Sequence, residues 1–184
     1  MTNSYSIFYQ SYEGVLTIPE TYKGKPVIRV SNMGSKFGRN ITTIIGSNNL
    51  QEITSWAFSS QDTIPMCIEE VIFPKDGQLY KIEQMAFYLC TKLKKVILPS
   101  NFKEFGDGVF ERCVALESLI IFNNIPPIIN GDLFNCNATL VNDSYWHKKP
   151  NSDFKVYVPD DAVEIYIESK WGEYRILPIS QVLV

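Results

Sequence analysis

The sequence is poor in the residues that enzymes lean on. It has one histidine, His147, in 184 residues. A Ser-His-Asp or Cys-His relay would have to be built on it. His147 falls in a polar stretch, NATLVNDSYWHKKPNSD, that reads as a loop, whereas an oriented base needs a rigid frame. There is no Cys-x-x-Cys pair, so no zinc ribbon or finger. There is no Gly-x-Gly-x-x-Gly and no Walker motif for a nucleotide phosphate. The carboxylates are scattered and form neither a Ca²⁺ loop nor a paired-acid signature. No catalytic residue, cofactor or metal is therefore assigned, and the chain is not expected to be an enzyme.

Basic charge is also scarce. Lys and Arg number 17 against 20 Asp and Glu, for a net charge of −3. The longest basic cluster is His147-Lys148-Lys149, too short for a general nucleic-acid binder. No run of 18 apolar residues exists, so no transmembrane helix or membrane insertion is expected. Met1–Tyr5 has no basic start and opens no apolar stretch, so no signal peptide is visible in this chain.

What the sequence does have is a repeated phrase. IEQMAFYLCTKLKKVILPSN runs from Ile82 to Asn101, and FGDGVFERCVALESLIIFNN from Phe105 to Asn124. A shorter version, ITSWAF, precedes CIEEVIFPKD. Each copy carries an anchoring phenylalanine: Phe37, Phe58, Phe87, Phe110 and Phe134. Their spacings of 21, 29, 23 and 24 mark a solenoid. A unit of that size cannot bury its own apolar face and must stack on the next. The 29-residue interval holds an insertion, Ser59–Pro65. The four cysteines, Cys67, Cys90, Cys113 and Cys136, fall at intervals of 23. That spacing reads as one column of buried thiols, since free Cys behaves as a small hydrophobe.

Alternation gives the register of each coil. In Lys95-Val96-Ile97-Leu98-Pro99, Val96 and Leu98 point inward and Ile97 outward. Pro99 ends the strand because it has no N–H to donate. The same register fits Val71-Ile72-Phe73-Pro74, Leu119-Ile120-Ile121 and Ile44-Ile45-Gly46. Thr17-Ile18-Pro19 and Tyr157-Val158-Pro159 fit as first and last members. Six strands would stack as a parallel sheet. The other half of each coil opens at Val30, Ile53, Ile82 or Phe105 and closes at the anchor Phe. The expected organisation is one continuous domain: stacked coils over residues 1–134, an insertion loop over 135–153, and a last strand with a cap over 154–184. In the cap, Asp160 is placed to N-cap a helix near Asp160–Ser169. Val163, Tyr166 and Ile167 share one apolar face, and Trp171 and Ile176 close the lid.

These residues resemble the BspA-type leucine-rich repeat family. MAFYLCTKLKKVILP is similar to its coil, ETYKGKPVIRV to its opening segment, and VYVPDDAVEIYIESKWGEYRIL to its ending. The resemblance implies a solenoid of about five or six coils with a parallel sheet on one face and a short C-terminal helix. It implies a secreted or cell-surface setting, adhesin-like binding and no catalytic residues.

Two surfaces are candidates for partner binding. The first is the outward column Ile45, Ile72, Ile97 and Ile120, flanked by Thr17 and Tyr157. An aliphatic column on a solvent face is either a docking strip or plain β-propensity. As a strip, it predicts that Ile72, Ile97 and Ile120 are exposed. Beside it run Thr43, Glu70, Lys95, Ser118 and Thr42, Glu69, Lys94, Glu117, which place acid beside base in adjacent coils. The second candidate is the insertion with Tyr145, Trp146 and His147. Its aromatics either mark an interface or fold back on the last coil. The partner expected is a protein or a glycan, with self-association through the Ile column as the alternative.

Overall fold

The computed structural model describes residues 13–31, 40–59, 66–134 and 153–182. The strands, in chain order, are β1 (Glu13–Thr17), β2 (Thr21–Tyr22), β3 (Lys25–Pro26), β4 (Arg29–Val30), β5 (Asn40–Ile45), β6 (Glu52–Ile53) and β7 (Glu70–Ile72). They continue with β8 (Lys81–Ile82), β9 (Lys95–Leu98), β10 (Glu104–Phe105), β11 (Ser118–Ile121), β12 (Ile128–Ile129), β13 (Lys155–Val158) and β14 (Arg175–Pro178). Two parallel sheets result among the described residues. The large one runs β1-β5-β7-β9-β11-β13-β14, and the small one β12-β10-β8-β6-β4. From β1 to β11 the chain makes four full turns, as a β-solenoid. The Gly24-Lys25-Pro26 turn belongs to a small hairpin, β2 against β3.

The expected alternation holds. Leu16, Ile44, Val71, Val96, Leu119 and Val156 are buried and face the core of the large sheet. Each is paired with the next in register. Val30, Ile53, Ile82, Phe105 and Ile129 form the matching buried column of the small sheet. A slip of one residue would turn every one of these side chains to solvent, which pins the register.

The anchors close the core between the sheets. Phe58 stacks on Phe87 with ring centroids 5.3 Å apart, and Phe87 on Phe110 at 5.9 Å. Phe134 meets Phe110 at 6.2 Å. Phe37 lies outside the described residues. The turns that present Phe58, Phe87 and Phe110 each place a left-handed residue two positions before the ring; before Phe134 the left-handed residue is Gly131, three positions earlier. In the first three turns it is Trp56, Met85 and Gly108, with φ of 62°, 53° and 60°. Glycine suits the geometry, whereas Trp56 and Met85 hold it at a cost of about 1–2 kcal/mol each.

The cap differs from expectation in three ways. First, Asp160 does not cap the helix α1 (Val163–Ile167). A 3-10 turn, Asp160–Ala162, precedes α1, and neither has a side-chain cap. The Asp160 carboxylate instead accepts the backbone N–H of Ser180 at 3.1 Å, which ties down the C-terminal turn. The side-chain cap sits later, where Ser169 Oγ accepts from the N–H of Trp171 at 3.1 Å. Second, Ile167 is exposed, and only Tyr166 of the proposed face is fully buried, because α1 is too short for a second core-facing turn. Third, Ile176 belongs to a seventh strand, β14, paired with β13. Trp171 is the lid as expected. It is buried and donates from Nε1 to Pro127 O at 2.7 Å.

Candidate functional site

The outward column is one continuous ladder. Thr17 pairs with Ile45, Ile45 with Ile72, Ile72 with Ile97, Ile97 with Ile120, and Ile120 with Tyr157. Leu177 of β14 extends it by one rung. Ile45, Ile72, Ile97 and Tyr157 are half-buried, each shielded by its neighbours along the sheet.

None of Ile72, Ile97 and Ile120 reaches the expected exposure: the first two are half-buried, and Ile120 departs furthest, with only 5% accessible. It lies at the floor of a depression of about 400 Å³, shared with Tyr157 and with Val182 from the C-terminal turn. Val182 reaches that depression from 62 residues further along the chain, a neighbour that alternation within β11 could not anticipate. Tyr145, Trp146 and His147 fall outside the described residues, as does most of the 135–153 loop.

The charged rows flank the column as the sequence implied. Lys95 Nζ lies 2.8 Å from Glu70 Oε1, and Lys94 Nζ 2.9 Å from Glu69 Oε2. The hydrogen bond with Lys94 holds the Glu69 carboxyl below its ordinary value and raises the Lys94 ammonium. Each pair joins adjacent coils, so it supports register and also edges the apolar strip with alternating charge. Past Ser118 the alternation stops: Lys155 is in register with Arg175.

A second charged ladder went unread in the sequence. Along the small sheet Arg29, Glu52, Lys81 and Glu104 stand in register. Arg29 pairs with Glu52, and Lys81 with Glu104 at 2.8 Å. Burial alone would push the Glu52 carboxyl up. Hydrogen bonds from the Tyr80 hydroxyl and the Arg29 guanidinium outweigh it and hold the carboxyl below its ordinary value. The signal was the sign alternation at repeat spacing in residues 29, 52, 81 and 104.

The cysteines need one correction. Cys90 and Cys113 are buried free thiols at equivalent places. Their Sγ atoms lie 3.5 Å from Phe58 O and 3.2 Å from Phe87 O. Burial pushes the Cys113 thiol well up. Cys67 is only half-buried and stands beside Lys92, 3.7 Å from its Nζ. The insertion before Cys67 makes its interval of 23 a coincidence: in register it matches Lys92 and not Cys90. Cys136 lies outside the described residues. Among the described residues, no group of three His, Cys, Asp or Glu could hold a metal, and no helix is long and apolar enough to cross a membrane.

The BspA-type leucine-rich repeat model matches six copies over residues 35–141. The chain belongs to that family, whose members are generally non-catalytic and typically secreted or at the cell surface. A leucine-rich repeat protein of T. pallidum is similar in structure, with TM-score 0.53 and 17% identity. The match covers 90% of this chain and 69% of that one. The pneumococcal vaccine antigen PcpA is similar with TM-score 0.55 and 23% identity. Here the match covers 91% of this chain and 42% of PcpA. Both likenesses are of fold. No curated protein matches the chain.

Proposed function

We propose that this protein is a non-catalytic recognition module, set at the cell surface or secreted, whose large sheet docks a protein or a glycan on its outward face. The observation that carries this reading is the unbroken ladder Ile45-Ile72-Ile97-Ile120-Tyr157, edged on one side by paired charges. Parallel sheets are ordinarily covered on both faces. A partly accessible aliphatic ladder on that face, at Ile45, Ile72 and Ile97, supports a covering partner.

Ile72→Thr/Ile97→Thr tests it. Threonine keeps the β-branched shape and removes most of the apolar contact. Ile120 is left untouched because its burial makes it part of the fold. Extracts from the host and from neighbouring bacteria are crosslinked to the native chain and to the variant. Partners captured by the native chain and lost by the folded variant support the reading. Identical capture refutes it. Light scattering across concentrations separates the second reading, self-association through the same ladder, which the continuity of the column favours.

A further inference from the structure

A different surface carries a second inference. The loop from β11 to β12, Phe122–Pro127, bulges where the small sheet's charge ladder ends. Ile128 occupies the place that Glu104, Lys81, Glu52 and Arg29 hold in the preceding coils. An aliphatic side chain thus replaces a charge at a rim position and is 61% exposed. Three residues earlier, Ile125 is 73% exposed. These are the two most exposed large apolar side chains among the described residues. With Phe122, Pro126 and Pro127 they line a groove of about 660 Å³, closed on its other side by the Ser100–Lys103 loop.

The groove is preformed. Pro126 and Pro127 fix their own φ angles and offer no N–H. The Trp171 indole holds Pro127 O at 2.7 Å, and the Tyr166 hydroxyl holds Asn123 O at 3.0 Å. The Asn123 amide donates to Phe102 O, which joins the two walls. A rigid wall spares a ligand the ordering term that weakens binding to mobile loops.

The lining itself carries one charge, a cation, while the nearest carboxylates stand behind it: Asp161 accepts from the Asn124 amide at 3.5 Å, and Glu104 is in register with Ile128 and paired with Lys81. Lys103 is the only charged residue of the lining, and it makes no ion pair among the described residues. Lys75 adds a second cation, with Nζ 5.2 Å from the centre of the Phe122 ring. No carboxylate lines the groove, although the chain as a whole is acidic.

We infer that this groove binds an extended peptide that presents an aliphatic or aromatic side chain next to an Asp or Glu side chain. The apolar side chain seats against Phe122, Ile125 and Ile128, and the carboxylate reaches Lys103. The site is separate from the sheet face and does not depend on it.

The test is a random peptide library displayed on phage and selected on the full chain, with the best peptides titrated by anisotropy. Enriched sequences are expected to place an apolar residue within one or two positions of an acid. Ile125→Ser/Ile128→Ser should weaken the best peptide by at least about tenfold. Lys103→Glu should do the same, and a peptide with its acid changed to Lys should recover binding to that variant. Thermal melts show that each variant is folded. Ile72→Thr/Ile97→Thr should bind the peptide normally, which keeps this site distinct from the sheet face. The inference is overturned by no enrichment, by an acid-free consensus, or by equal affinity for Ile125→Ser/Ile128→Ser. Concentration-dependent scattering abolished by that same double change would overturn it in favour of a second copy of the chain.

Discussion

Replacing Phe87 by alanine removes the centre of the phenylalanine column. Phe87 is fully buried, with Phe58 stacked on one side and Phe110 on the other. The transfer and cavity terms for a core Phe amount to about 3–5 kcal/mol. Each stacked pair adds about 0.5–1.5 kcal/mol beyond burial. Backbone relaxation recovers some of this, so about 5 kcal/mol is expected. A domain's whole stability is roughly 5–15 kcal/mol, so the variant is near the edge of folding. Its Tm should fall by roughly 10–20 °C at this chain length. Urea unfolding followed by circular dichroism should show a lower midpoint at an unchanged slope. Phe58→Ala combined with Phe87→Ala should show coupling of about 0.5–1.5 kcal/mol. Phe154→Ala, which shares no ring partner with Phe87, should add to within about 0.5 kcal/mol. A loss under about 2 kcal/mol for Phe87→Ala would refute the stacked-column account of the core.

In a Cys136→Ser background, a thiol reagent should label Cys67 in the native protein and reach Cys90 and Cys113 only on unfolding; rapid labelling of all three would mean that the column is open. A Cβ at Gly106 would fall 2.3 Å from Gln84 N of the preceding coil, so Gly106→Ala should cost about 1–3 kcal/mol, and a melt unchanged within about 0.5 kcal/mol would contradict the close approach. The folded Glu52 carboxyl titrates below its unfolded value of about 4.3, so it contributes stability above that pH and loses it as pH falls through the folded value. Glu52→Gln should be less stable at neutral pH and lose less on acidification from about pH 5 to pH 3; parallel acid curves for the two proteins would rule out this role.

Long-period features were legible in the sequence and short or remote ones were not. The phenylalanine column and the inward residues Val71, Val96 and Leu119 follow from spacing and alternation, because one slip exposes every core residue at once. The strands of the small sheet have two residues each, too few to show a period. β14 left only a misleading signal: Ile176-Leu177-Pro178 reads like Ile97-Leu98-Pro99, yet in register Ile176 stands with Val96 and Leu177 with Ile97, and its place after a helix disguised it as a lid. Asp160 has the chemistry of a cap, yet the N–H that it accepts belongs to Ser180, a partner set by tertiary closure. The groove at Ile125 and Ile128 was hidden for a related reason. Only the register with Glu104 reveals that Ile128 stands where a charge belongs.

The ladder Arg29-Glu52-Lys81-Glu104 imposes a parity rule on the length of this solenoid. Excising the one coil that carries Lys81, Lys94 and Lys95 would set Glu52 against Glu104 on one rim. It would set Glu69 against Glu117 beside the large sheet. Excising two consecutive coils would restore opposite signs at the small-sheet junction. Repeat proteins grow and shrink by whole units, and here the charge pattern makes even steps cheaper than odd ones. A coil of this protein is thus not freely interchangeable with its neighbour: it comes in two alternating kinds, and the smallest unit that can be copied without electrostatic conflict is a pair.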